Sequence, residues 1–297
     1  GSKPRSSHFW GGVFAAEAVT VPQPLYYYDF EGTTDEEIRS NKGSMDVGLA
    51  EIVGEGSFQK EDNGNGYFDN ASTKTATTGA VTDEANGTLG LDGWNADAHV
   101  YCDNGKHYLK LPADIIKEIH KGSAMTVSMK VKTVSGHWSE WSPVLAMDSV
   151  ARPKSWPFLA FELRGTAAWN ADGWYDANRN NATFNSVYAD TESWHNLTII
   201  LTKQKVVSYL DGEERTEQST DLTALEDNSS DGIFNSADNA FITGIDRIAL
   251  GGNQVHNWAD PDAQILYDDV AIFNEELSSE QINAMINGNV AVSSVDI

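Results

Sequence analysis

Residues 194–212, WHNLTIILTKQKVVSYLDG, limit what this chain can fold into more than any other stretch. Leu197, Ile199 and Leu201 alternate with Thr198 and Ile200, and after Lys203-Gln204-Lys205 the pattern resumes at Val206, Val207, Tyr209 and Leu210. Period-two spacing on both sides of a short polar break is the signature of a β-hairpin. Apolar residues fall on both faces of each strand, so neither face is mainly wet, as expected for inner strands of a two-sheet sandwich. Asp211-Gly212 then supplies the positive-φ positions of a second tight turn. At least three consecutive antiparallel strands are implied.

Other segments carry the same period. Residues 25–30, LYYYDF, read as a strand introduced by Pro22 and Pro24 and closed by Glu31-Gly32. Residues 34–38 predict one helical turn and 49–53 a short strand. Residues 112–121 predict a brief helix with Ile115, Ile116 and Ile119 on one side. Met125, Val127, Met129 and Val131 alternate with Thr126, Ser128, Lys130 and Lys132, the pattern of a half-exposed strand. Strands are also expected at 143–147, 157–163, about 182–188, 245–250 and 265–273. Ser278 and Gln281 form a capping-box pattern that opens a helix with Ile282, Met285 and Ile286 on one face. No βαβ alternation occurs, which excludes Rossmann and barrel-type α/β folds. The expectation is an all-β chain of two antiparallel sheets around one core, with Leu197, Ile199, Leu201, Leu210, Val270 and Ile272 inside and Trp194 with them.

At 297 residues the chain fits one large sandwich, read here as a leader over 1–24, a domain over 25–288 and a tail over 289–297. The leader carries Lys3 and Arg5, then FWGGVFAA, then Ala16-Glu17-Ala18, a charge and apolar order similar to a signal peptide but broken by Gly11-Gly12. No run approaches the roughly 18 apolar residues of a membrane helix, so membrane insertion is not expected. A net charge of −24 with no Lys/Arg cluster repels phosphate backbones, which argues against nucleic acid as a partner. Dense carboxylates do suit hard cations such as calcium. Cys102 is the single cysteine, so no intrachain disulfide or cysteine-based metal site exists.

The succession HYLKLP, AMTVSMKVK, SWHNLTIILTKQKVVSYLDGE, IDRIALGG and ILYDDVAIFNEELSSEQI resembles the laminin-G-like, concanavalin A-like lectin/glucanase superfamily, especially its bacterial secreted polysaccharide-utilisation members. The resemblance covers residues 25–287. It implies a curved antiparallel jelly-roll sandwich with a few short helices, and a secreted or cell-surface location. The fold hosts lectins, glycosidases, lyases and adhesion modules, so function has to be read from residues.

Retaining glycosidases of this superfamily set two glutamates and an aspartate on one strand as E-x-D-x-x-E or E-x-D-x-E. No such cluster occurs: Glu140 and Glu162 are isolated, and no catalytic residue is assigned. A lyase would need a Tyr/His pair with a neutralising Arg, for which His137, Tyr175, Tyr188 and Arg179 are the available residue types. Sugar binding uses flat aromatic faces against pyranose C–H groups, with amides and carboxylates on the hydroxyls. Trp138, Trp141, Trp156, Trp169, Trp174, Tyr175 and Trp258, with His256 beside the last, lie in segments rich in Asn, Asp, Gly and Ser. They are read as loop aromatics of a glycan-binding, monomeric module; a hydrolase or lyase of the same fold, or a structural or adhesive module, are the alternatives.

The resemblance further implies a structural calcium ion joining the two ends of the domain. The positions matching the superfamily's ligands are Glu31 in YDFEG, Asp268 in YDDVAIF and the carbonyls of the Gly43-Ser44 turn. Asp268 shares the sequence parity of Val270 and Ile272, so it is expected on the interior side, where an unpaired carboxylate is costly; an ion, or equally bonds to backbone amides or to an Arg such as Arg247, would relieve that cost.

Overall fold

The computed structural model describes residues 18–75, 81–83, 87–89, 107–137, 142–148, 158–162, 165–170, 173–177, 187–215, 220–221, 241–242, 245–252, 262–288 and 290–292. In chain order the elements are β1 (Val19–Val21), β2 (Tyr26–Tyr28), α1 (Asp35–Arg39), β3 (Glu51–Val53), β4 (Ser57–Lys60), β5 (Gly66–Asp69), β6 (Val81–Asp83), β7 (Gly87–Leu89), β8 (Tyr108–Leu111) and α2 (Asp114–Ile119). Then follow β9 (Ala124–Lys132), β10 (Pro143–Asp148), β11 (Phe158–Glu162), β12 (Gly165–Asn170), β13 (Gly173–Ala177), β14 (His195–Thr202), β15 (Lys205–Leu210), β16 (Glu213–Glu214) and β17 (Thr220–Asp221). The chain continues through β18 (Arg247–Leu250), β19 (Leu266–Phe273), α3 (Ser279–Asn287) and β20 (Val290–Val292).

Two antiparallel sheets form the body. One runs β13-β12-β11-β10-β18-β8-β3; the other runs β16-β15-β14-β9-β19-β5-β4, with β2 also on β19 and β17 on β15. The expected hairpin is β14–β15, with Leu197 opposite Leu210 and Leu201 opposite Val206. Its following turn holds Asp211 at φ 51° and Gly212 at φ 86°, the geometry for which that dipeptide was read. Between the sheets lies one core, where Leu197, Ile199, Leu201, Leu210, Val270 and Ile272 are all at most 3% exposed. Each such aliphatic side chain contributes about 1.5–3 kcal/mol by leaving water. The hydroxyl of the buried Tyr267 crosses the core to the Val144 carbonyl at 2.9 Å, tying one sheet to the other.

A second, smaller core changes the reading of the hairpin's other face. Ile200, Val207 and Tyr209 pack with Ala271, Phe273 and Val21 against Leu277 and Ile282 of the α3 segment. The two-sided apolarity of β14 and β15 thus reflects one face on the opposite sheet and one face under a helix. α3 starts where the capping box places it: Ser278 Oγ accepts from Gln281 N at 3.1 Å, and Gln281 Oε1 accepts from Ser278 N at 2.9 Å. The same covering corrects β9, expected half-exposed. Thr126 and Ser128 are buried: Thr126 Oγ1 donates to the Glu275 carbonyl and accepts from Leu277 N, where the approach to α3 crosses the strand, and Ser128 Oγ accepts from Thr198 Oγ1 of β14.

Two boundaries differ from expectation. β1, inside the predicted leader, pairs in parallel with β20, inside the predicted tail, with Val19 opposite Val290 and Val21 opposite Val292. The strand expected at about 182–188 lies mostly outside the described residues, and at 187–188 the backbone is helical. Among the described residues no helix is long and apolar enough to cross a membrane.

Candidate functional site

Trp138, Trp141, Trp156, His256 and Trp258 lie outside the described residues. Trp169, Trp174 and Tyr175, read as loop aromatics, stand instead in strands β12 and β13, whose backbone is described. The polar Asn170, Gly173 and Asp176 near them are themselves strand residues, with Asn170 opposite Gly173. Register sets Phe158 opposite Trp169 and Trp169 opposite Trp174, so three aromatic positions make one cross-strand row at the edge of the seven-stranded sheet.

The predicted cation ligands separate into two places. Glu31 and Asp268 are brought to one segment: Gly66 N donates to Glu31 Oε1 at 2.6 Å, and Asn65 Nδ2 donates to Asp268 Oδ2 at 2.9 Å. Ser44 is not with them. Its amide donates to the carbonyl of Pro24, beside Leu25, which bonds Ile272 at the far end of the β2–β19 ladder. Asp268 also departs from its expected parity. β19 changes neighbour there, pairing β5 through Leu266 and Tyr267 and β2 from Val270 onward. On its other side the register to β9 slips between Asp268 opposite Lys130 and Ala271 opposite Ser128. Three steps on β19 match two on β9, which is a β-bulge, and the extra residue places Asp268 in the row of Lys130 rather than with Val270.

Asp268 is nonetheless only 2% exposed. Its carboxylate accepts from Asn65 Nδ2 and from the Asp269 amide, at 2.8 Å for the latter, and burial pushes its carboxyl up to about 7. Phe30, at φ 56°, turns its carbonyl against Gly66, where an added Cβ would stand 2.2 Å from that oxygen. Two carboxylates, a side-chain amide and a carbonyl therefore meet at this partner change. Carboxylate and carbonyl oxygens are the donors a calcium ion takes, but Asn65 presents its N–H rather than its oxygen to Asp268, and among the described residues no group of three or more His, Cys, Asp or Glu is placed to hold a metal ion.

On the outer face of the nine-stranded sheet the structure shows a cavity of about 790 Å³ that the sequence reading did not single out. Its floor comes from Tyr27, Ser128, Lys130, Asn196 and Asp269, and its roof from residues 21–24 and the end of α3. The roof is tied down at two points. Gln281 Nε2 donates to the Thr20 carbonyl at 3.1 Å, and Asn283 Nδ2 to the Gly212 carbonyl at 2.9 Å. At the centre, Asp269 accepts from Tyr27 OH and from Lys130 Nζ, both at 2.7 Å. Burial and then the hydrogen bond to Asp269 hold the Tyr27 phenol well above its usual range. Burial pulls the Lys130 ammonium down, but its hydrogen bond to Asp269 and the charges of Asp269 and Asp268 outweigh this and raise it. Trp194, expected in the core, is half-buried in the cavity wall, with its indole N–H on Glu61 at 2.8 Å and its ring edge-on to Tyr67.

The cavity residues come from five strands, the end of α3 and several connecting segments, so no local motif announces them. One signal was present: Asp268-Asp269, two adjacent carboxylates inside an otherwise apolar strand.

Residues 103–283, more than half of the chain, match a family model described as the concanavalin A-like lectin/glucanases superfamily, laminin-G type. No curated protein matches the chain. Among solved structures, it is similar to domain 4 of AbnA, an extracellular arabinanase of Geobacillus stearothermophilus, in complex with arabinotriose. That similarity has 15% identity and a TM-score of 0.49, over 91% of this chain and 100% of that one. It is also similar to the binding domain of botulinum neurotoxin DC, with rat synaptotagmin II (11% identity) and with SialylT (9%). Each covers 90% of this chain and 52% of that chain, at a TM-score of 0.49. The chain thus spans about half the length of these toxin domains. With the two antiparallel sheets and the matched span in place, the chain belongs to the concanavalin A-like lectin/glucanase superfamily.

Proposed function

We propose that this chain is a glycan-binding module of a secreted or cell-surface bacterial protein, acting as a monomer and stiffened by a calcium ion. The observation that carries the reading is the row Phe158, Trp169 and Trp174 on three adjacent strands. Strand positions hold aromatic side chains more rigidly than loops do, and aromatic positions in register across adjacent strands suit the C–H faces of consecutive sugar units in a polysaccharide. Trp138, Trp141, Trp156, Tyr175, His256 and Trp258 are proposed as further sugar-binding residues. Glu31, Asp268, Asn65 and the Phe30 carbonyl are proposed to hold the ion, which would tie the β2 end to β19 and supply positive charge to a buried carboxylate.

A glycan array with the purified chain tests this, followed by titration of the bound polysaccharide into Trp169→Ala and Trp174→Ala. Each substitution should weaken binding by about tenfold or more, as loss of an aromatic hot spot does, with an unchanged melting temperature. An empty array, or alanine variants that bind like the parent, would overturn the reading.

A further inference from the structure

We propose that the cavity on the outer face of the nine-stranded sheet is a second binding site, and that it takes a neutral sugar ring. The bulge in β19 is the first reason. Asp269 holds φ at 46°, a region in which non-glycine residues are uncommon, and the extra residue aims its carboxylate at the cavity floor. There one oxygen takes the Tyr27 hydroxyl and the other the Lys130 ammonium. Each carboxylate oxygen accepts two hydrogen bonds and an ammonium donates three, so acceptor and donor capacity remain side by side. Adjacent ring hydroxyls, which each donate and accept, match that pair.

Charge and shape narrow the ligand further. The chain carries −24, yet the cavity lining balances Lys42 and Lys130 against Asp211 and Asp269. An anion would meet Asp269 and a cation would meet Lys130, while a neutral polyol meets neither penalty. Pro22, Pro24, Phe273 and Ile286 give the same cavity an apolar side for the C–H face of the ring. Its volume of about 790 Å³ lies within the range of small-molecule sites. The ligand class follows from this cavity alone and does not rest on the aromatic row, which belongs to the other sheet.

The test is saturation-transfer NMR with calorimetric titration of the full chain, using the methyl glycosides of glucose, galactose, mannose and arabinose at millimolar concentration. At least one should bind the parent protein. Ala271→Leu, which fills the cavity, should abolish that binding, and Lys130→Met should weaken it by about tenfold or more. Trp174→Ala, which removes the other platform, should leave it in place, so the two sites fail separately. No transfer from any of the four glycosides, or a signal that survives both cavity variants, overturns the proposal. If Ala271→Leu does not fold, Lys130→Met decides alone.

Discussion

Replacing Asp268 by Asn probes the electrostatics at the point where β19 changes partners. Asp268 is 2% exposed, and burial raises its carboxyl from 3.8 to about 7. Between those values the native chain keeps a proton that the unfolded chain has released. Stability therefore falls as the pH rises from about 4 to about 7 and is level above that. Roughly three pH units at about 1.4 kcal/mol each put the ionisation penalty at about 4 kcal/mol as an upper bound. Asn keeps the shape without the charge but exchanges one acceptor for a donor, so the Asn65 amide must turn over to accept from it. One weakened hydrogen bond costs about 1 kcal/mol. In chelator, the variant should be more stable than the parent by about 3 kcal/mol at about pH 8, and slightly less stable at about pH 4. Urea denaturation of both proteins across that range gives a difference curve that isolates Asp268 from the other carboxylates. Calcium adds a second sign. It needs the ionised group, so at about a hundredfold excess over its Kd it should return about 2.7 kcal/mol to the parent near pH 8, little near pH 5, and none to the variant. A difference curve that is flat over the whole range would refute the burial argument. An equal calcium response in both proteins would remove the ion from Asp268.

Three further substitutions test the frame by chemical denaturation. Gly251→Ala should cost about 2 kcal/mol or more, because φ is 91° there and an added Cβ would stand 2.1 Å from Asn70 Nδ2. Ser278→Ala removes the hydroxyl half of the α3 capping box and should cost about 1 kcal/mol, lowering the melting temperature without altering the m-value. Leu201→Ala, at a side chain with 0% exposure between the sheets, should cost about 2–5 kcal/mol.

What the sequence made legible was what repeats with a fixed period. Leu197, Ile199 and Leu201 face the core because side chains alternate along a strand, and Ser278 with Gln281 opens α3 because a capping box is a local exchange of two hydrogen bonds. The misreadings occur where a neighbour distant in sequence decides the outcome. Thr126 and Ser128 look like the wet face of β9, but the segment around residues 275–277 covers Thr126, and Ser128 lies under the cavity beside Asn196 and Thr198. Trp169 and Trp174 look like loop residues by composition, although the polar Asn170, Gly173 and Asp176 near them are themselves paired strand positions.

Asp268 shows why parity counting fails at one particular place. The count assumes two residues per repeat along the whole strand, and β19 adds one residue where β5 gives way to β2. From that point backward every residue exchanges faces. The pair Asp268-Asp269 already held the information, since a regular strand would place one of two adjacent carboxylates on a buried apolar face. That cost is avoided only by breaking the period, by pairing the charge or by binding a cation. The structure breaks the period and pairs Asp269 with Tyr27 and Lys130, which leaves Asp268 on Asn65 and its own neighbour's amide. One inserted residue thereby builds the floor of the cavity on the sheet's outer face and, one position earlier, the carboxylate whose burial makes stability depend on pH.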